Sequence, residues 1–260
     1  MFQIPKKNIN ILAQKILEGY DSKNPGTIFK EKVKISNDDA MLIQSTVSKL
    51  REKRGDEIIG YKIGCVLKET QKKMGLTQPA YGHLWKNELH TNGVVLSKKN
   101  YSNPAMEAEF GILLNRDIKP NAVTSDYILE SIEAIFPLIE IHNLVFHGDA
   151  PYGAELLANN AIHAGVVIGS KTKLPIINTT TDLKLIYDKE IVDKWFDKRW
   201  PNDMLSELQW LIKKQSEINN ILKKGNLILI GAYGFPVPIN EKKLIEVRSS
   251  AFGNVRATFN

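Results

Sequence analysis

The 260-residue chain has a single cysteine, Cys65, so no disulfide can form within it and a reducing, intracellular setting is expected. No apolar run approaches the ~20 residues that a membrane-spanning helix needs. The opening stretch, Met1 to Asn10, has neither an apolar core nor a cleavage pattern, which argues against secretion. These absences predict a cytoplasmic protein with no membrane partner. Basic runs interleaved with aromatics are missing too. The formal charge is +6, but the lysines come as scattered pairs, among them Lys6-Lys7, Lys72-Lys73 and Lys213-Lys214, without any nucleic-acid motif. A solvated lysine-rich surface is expected, with a field mildly favourable to an anionic ligand and no nucleic-acid partner. Internal repeats and low-complexity tracts are absent, which excludes solenoids and arrays. What is present, with 43% hydrophobic residues, is enough for a sizeable core.

The length suits one large domain, or one domain with a small appendage. Residues 8–19 carry apolar residues at helical spacing up to Gly19. Ser36 to Asp39 then offer N-caps for a second helix that runs to Arg54 and ends at Gly55. Two such helices cannot bury a core alone, so residues 1–56 read as an N-terminal helical segment on a body spanning 57–260. From Ile58 the pattern turns to short strands, beginning with Ile59 to Gly64. Lys68 to Met74 reads as a short helix, Tyr127 to Ile135 as another, and Asn143 to Ala154 as an irregular loop. Ala164 to Gly169 reads as a buried strand, and a strand pair is expected around Asp188-Lys189. Asp203 to Leu222 is the longest helical pattern, capped at Gly225. Leu227 to Gly231, Leu244 to Val247 and Val255 to Phe259 supply the closing strands.

One stretch carries chemistry: Met106-Glu107-Ala108-Glu109-Phe110-Gly111-Ile112-Leu113-Leu114. On a strand, Glu107 and Glu109 share a face; on a helix the same spacing would set them on nearly opposite sides. Like charges held that close in apolar surroundings repel, and a hard divalent cation removes the conflict. From the spacing alone, an edge strand with both acids in water is the stronger contender. A third acid, Glu140, interrupts the apolar run Ile135-Phe136-Pro137-Leu138-Ile139-Glu140-Ile141-His142, where an unpartnered carboxylate is costly. Three carboxylates from two strand-like segments make an oxygen-rich site. His142 could add a ligand, but hard Mg²⁺ prefers oxygen, and the histidine otherwise reads as part of the loop that follows. Lys62 sits inside a strand, either paired with an anion or reaching the surface from an edge. Cys65 reads as a packed thiol and His83 as a packing or surface histidine.

The chain resembles the 2-keto-4-pentenoate hydratase and 4-oxalocrotonate decarboxylase branch of the fumarylacetoacetate hydrolase superfamily. The resemblance runs from about residue 8 to the C-terminus. It rests on Gly60-Tyr61-Lys62-Ile63-Gly64, Gln78-Pro79-Ala80-Tyr81-Gly82, Glu107-Ala108-Glu109, Pro137-Leu138-Ile139-Glu140, Ala158-Asn159-Asn160-Ala161 and Gly231-Ala232-Tyr233-Gly234, in that order. It implies an α+β fold with a mixed β-roll or barrel-like core and an N-terminal helical cap. It implies a metal-dependent lyase, a hydratase or a decarboxylase, for a small anionic 2-keto acid of the kind met in aromatic-compound catabolism, working as a homo-oligomer. By the same resemblance Glu107, Glu109 and Glu140 hold Mg²⁺ or Mn²⁺ through oxygen alone. Lys62 is catalytic and meets the substrate carboxylate, Tyr81 and Asn160 contact substrate, and Gly75 to Pro79 border the mouth.

Three stretches depart from the family pattern. Ala80 stands where the hydratases carry an Asp and the decarboxylases an apolar residue. Asn159-Asn160-Ala161-Ile162 stands where both read Asp-Asn-Ala-Ser, and Ile230 replaces a common Thr. Each change removes a proton carrier or hydrogen-bonding group, while the metal residues and Lys62 are kept. Hydration is the reaction expected first, decarboxylation second, and keto-acid binding without turnover third.

Overall fold

The computed structural model describes residues 6–119, 124–172, 178–231 and 233–260. Ala232 of the Gly231 to Gly234 motif lies outside the described residues, as do residues 1–5 of the opening stretch. Along the chain run α1 (Lys6–Asp21), α2 (Asn37–Lys53), β1 (Ile58–Gly64), α3 (Lys68–Met74), β2 (Ala80–Trp85), β3 (Leu89–Thr91), β4 (Val94–Leu96) and β5 (Pro104–Leu114). There follow α4 (Ser125–Glu130), β6 (Ile132–Asn143), α5 (Gly153–Ala158), β7 (His163–Ile168), β8 (Thr179–Tyr187), β9 (Glu190–Trp200) and α6 (Asn202–Glu217). Strands β10 (Leu227–Ile230), β11 (Val237–Pro238), β12 (Leu244–Ser249) and β13 (Gly253–Phe259) complete the fold. The expected mixture of curled sheets and helices is what forms.

The larger sheet has the order β2-β1-β10-β5-β6-β7-β3, with β11 added against β5; the smaller has the order β4-β13-β12-β8-β9. Residues directly opposite in a ladder share a face, so the pairing registers show what each face carries. One face of β5 and β6 presents Met106, Phe110, Ile112, Ile135, Ile139 and Ile141 to the core shared with the smaller sheet. The other face is divided along its length. At one end Leu84, Phe136, Leu138, Val166, Leu227 and Leu229 form a compact apolar cluster. At the other end the same face carries Lys62, Glu107, Glu109, Glu140 and His142. That polar end is the site.

The N-terminal helices lie over it. Ser36 caps α2 by accepting from the Asp39 amide, as the sequence predicts. Ile9, Ala13 and Ile16 of α1 and Ala40 and Ile43 of α2 pack with Met74, Leu156, Leu157, Ala161 and Ile162. Gln44 of α2 donates to the carbonyls of both Tyr81 and Leu157, tying the layer to β2 and α5.

Two expected helices are shorter than their patterns. α4 stops at Glu130, because Ile132 onward pairs with β5, from Leu114↔Ile132 to Pro104↔Asn143; the branched run is worth more in the ladder than in a helix. α6 ends at Glu217 rather than Leu222, and Ile218, read as part of its apolar side, is exposed.

Candidate active site

The sheet delivers the functional side chains by register. Glu107 and Glu140 are direct partners across the β5–β6 ladder, so their carboxylates project side by side. Glu109 pairs one step deeper, with Leu138, and His142 one step shallower, opposite Ala105. Lys62 arrives from β1 and reaches Glu140, with Nζ 3.4 Å from Oε1. All five side chains are buried, Glu109, Glu140 and His142 completely.

Three of these groups converge. Ligand atoms of Glu107, Glu140 and His142 lie within 4.8 Å of one another, forming the one such cluster among the described residues. Nε2 of His142 is 2.8 Å from Oε2 of Glu107 and 3.4 Å from Oε2 of Glu140. From β7, Nδ1 of His163 meets Oε1 of Glu140 at 2.7 Å, and both side chains are fully enclosed.

The electrostatics show a site short of positive charge. Glu109 is held well above the usual carboxylate range, first by burial and then by Glu140 and Glu107. Neither of its oxygens has an aligned hydrogen-bond partner. Burial would raise Glu140 too, but Lys62, His142 and His163 together outweigh it and hold that carboxyl low. Burial opposes the Lys62 ammonium, yet Glu140, Glu107 and Glu109 raise its pKa, so it stays charged. One ammonium beside three buried carboxylates leaves room for a cation.

A divalent ion fits the donors present. Ligands at adjacent corners around an ion with ~2.1 Å bonds stand ~3.0 Å apart, and the His142 contacts bracket that spacing. Buried acceptors without partners, Oε2 of Glu140 among them, point the same way.

A pocket opens onto this cluster. Lys62, Glu107 and His142 form its polar floor, and Ala80, Leu144, Phe146, Leu156, Ile162 and Phe235 its walls. Cys65 also reaches it, but burial pushes the thiol up to about 11, so it is a neutral wall and not a nucleophile.

Several sequence expectations need correction here. His142 is the penultimate residue of β6 and points into the cluster; it is not a loop histidine. The period-two rule that pairs Glu107 with Glu109 also pairs Glu140 with His142. His163 carried no signal of its own, since its partner lies 23 positions away. Tyr81 does not face the pocket: its ring packs against Tyr61, His83 and Trp210 on the far side of β2. Asn160 does not face it either. Its side-chain amide accepts from the His83 N–H at 2.7 Å and donates to the His83 carbonyl at 2.9 Å. His83 is half-buried, contacts Ser48, and desolvation lowers its pKa to about 4.

Asn160 opens an unusual turn. Asn160, Ala161 and Ile162 all have left-handed φ, at 55°, 50° and 55°. Each costs ~1–2 kcal/mol for a residue with a side chain, a strain typical of functional sites. The turn sets Ala161 and Ile162 into the pocket wall. Gly82 permits it, since a Cβ there would lie 2.5 Å from the Asn160 carbonyl oxygen. Of the three departures from the family pattern, Ala80 and Ile162 line the pocket, whereas Ile230 is buried in the core between the sheets.

Fold and site together define a rolled-sheet protein with a buried, acid-rich pocket whose donors fit a divalent cation. No family model matches the chain. By sequence it is 26% identical over 253 residues to the 2-keto-4-pentenoate hydratase of Paraburkholderia xenovorans, covering 95% of this chain and 93% of the relative. It is 26% identical over 223 residues to the same-named enzyme of Burkholderia vietnamiensis, covering 85% of each. In fold it matches 4-oxalocrotonate decarboxylase from Pseudomonas putida G7, complexed with magnesium and adipate, over 100% of both chains, with a TM-score of 0.87 at 21% identity. A protein assigned to the fumarylacetoacetate hydrolase family, from Yersinia pestis CO92, shares the fold less closely, with a TM-score of 0.56 at 17% identity over 77% of this chain and 92% of its own. The resemblance drawn from the motifs, to the hydratase and decarboxylase branch of that superfamily, therefore holds.

Proposed function

We propose that the protein is a divalent-metal-dependent lyase for a small anionic 2-keto acid or its dienol, adding water to a substrate of the 2-keto-4-pentenoate type. The observation that carries this reading is the buried convergence of Glu107, Glu140 and His142 on the pocket floor, with Lys62 beside them. A bound Mg²⁺ or Mn²⁺ supplies polarisation of the keto oxygen. Glu107 and Glu140 would hold it at the pocket floor. Glu109 completes the carboxylate set from one pair deeper, because a cation beside it favours its ionised form. Lys62 Nζ anchors the substrate carboxylate, since an ammonium that stays charged is suited to bind an anion and not to serve as a base. The apolar walls exclude bulk water, which strengthens each of these contacts.

Decarboxylation is the second reading, favoured by Ala80. At Ala80 and Ile162 the wall carries neither an acid nor a hydroxyl to guide water, which leaves Thr70 as the hydroxyl lining the pocket. The test is a turnover screen of 2-hydroxy-2,4-dienoates and 2-oxo-enedioates with Mg²⁺ and Mn²⁺, scored separately for hydrated product and for CO₂. Metal-dependent loss of the dienol without CO₂ is the expected result, and CO₂ release would reverse the order of the two reactions. Tight oxalate binding without any turnover would reduce the protein to a keto-acid binder. A cytoplasmic setting is part of the proposal, supported by the lone Cys65. So is a homo-oligomer, supported by exposed Val95, Ile191 and Phe196.

A further inference from the structure

Both ring nitrogens of His142 are buried without an aligned hydrogen-bond partner. This holds although Nε2 stands only 2.8 Å from a Glu107 oxygen. At that distance an imidazolium acting as a counter-ion would turn its N–H onto the carboxylate. Here the ring direction misses Glu107, and it also misses Glu140, whose Oε2 is 3.4 Å away. A buried polar group left so costs about 1–3 kcal/mol, unless something else takes its lone pair.

The surroundings indicate what takes it. Glu107 and His142 both line the pocket, so the space they share opens toward the substrate side. Glu140 sits behind them, its other oxygen fixed by His163 at 2.7 Å. A carboxylate steadied by a second histidine is the usual support for a metal ligand. Two carboxylates and a neutral imidazole also balance a divalent charge, with Lys62 left for the substrate.

We propose that His142 is a direct nitrogen ligand of the site's cation, so that the site prefers a borderline ion such as Mn²⁺, Co²⁺ or Zn²⁺ over Mg²⁺. The inference rests on the reading of the pocket as a metal site and narrows it. Imidazole binds first-row transition ions far better than Mg²⁺, which prefers a shell of oxygen and water. One nitrogen among the protein ligands therefore shifts selectivity without altering the site's charge.

The test uses the full chain, stripped of metal by chelation and titrated with Mn²⁺ alone. Free Mn²⁺ is followed by electron paramagnetic resonance, and the bound ion by pulsed measurement of nitrogen hyperfine coupling. The expected result is a ¹⁴N coupling that converts to ¹⁵N when the protein is grown with ¹⁵N-histidine. It should vanish in His142→Leu and persist in His163→Asn, and Mg²⁺ should displace Mn²⁺ only at roughly a hundredfold excess or more. The isotope experiment needs no variant, so misfolding of His142→Leu cannot hide the answer. Bound Mn²⁺ without nitrogen coupling, or coupling that survives His142→Leu, would overturn this inference and leave the metal-lyase reading intact. Equal competition by Mg²⁺ would overturn the selectivity. Failure of the wild-type protein to bind Mn²⁺ at all would remove both.

Discussion

Nδ1 of His163 sits 2.7 Å from Oε1 of Glu140, with neither side chain exposed to solvent. A charge-assisted bond of that kind, lost from a buried carboxylate, is worth about 1.5–3 kcal/mol. His163→Leu should therefore lower unfolding stability by that amount in urea denaturation, and weaken metal binding about 10–100-fold. His163→Asn, which keeps a donor, should recover part of both. A leucine variant as stable as wild type would show that Lys62 and His142 suffice to balance Glu140.

Lys62→Met separates anchoring of substrate from holding of metal. The variant removes the one ammonium from a cluster of three carboxylates, so metal affinity should stay level or rise. Oxalate affinity, measured on the metal-loaded protein by calorimetry, should fall by about 1–3 kcal/mol. Parallel loss of metal and oxalate binding would make Lys62 a structural residue.

Glu207 of α6 accepts from the Gly231 amide, and burial raises its pKa to about 7. The native state thus holds a proton that the unfolded chain releases near pH 4.5. The stability it contributes is complete below that value and is lost as pH rises through 7. Glu207→Gln does not titrate. The stability of wild type relative to the variant should fall by roughly 2–3 kcal/mol from pH 5 to pH 8. A constant difference across that range would show that the carboxyl is solvated.

Ala161 tests the left-handed turn. Glycine there loses one methyl's burial, about 0.8 kcal/mol, but relieves a strain of ~1–2 kcal/mol. Ala161→Gly should leave the melting temperature level or slightly raised, whereas Ala161→Val should destabilise by over ~2 kcal/mol. Equal tolerance of valine would mean that the backbone is not held left-handed.

The acids were legible because strands alternate: Glu107 and Glu109 share a face, and Glu140 interrupts a run that has no other use for a charge. Their register was not. Nothing local states that Glu107 lies opposite Glu140, a pairing across 33 positions fixed by the whole β5–β6 ladder. His163 and the Asn160–His83 clamp were hidden for the same reason. α4 was overextended because Ile132 to Ile135 fits either period, and only the partner strand decides. Tyr81 was misplaced because a motif gives a residue's position in the chain and not the face on which its ring falls.

β2 is an outer strand of the larger sheet, and unpaired edges invite a strand from another molecule. At His83 both backbone groups are already taken by the Asn160 amide, which stands in for a neighbouring residue. The strained turn thus blocks intermolecular β-pairing at that point, and colloidal behaviour is where its loss should first be seen. Asn160→Ala should aggregate at protein concentrations and temperatures where the wild-type chain stays dispersed, with light scattering rising before the melting transition.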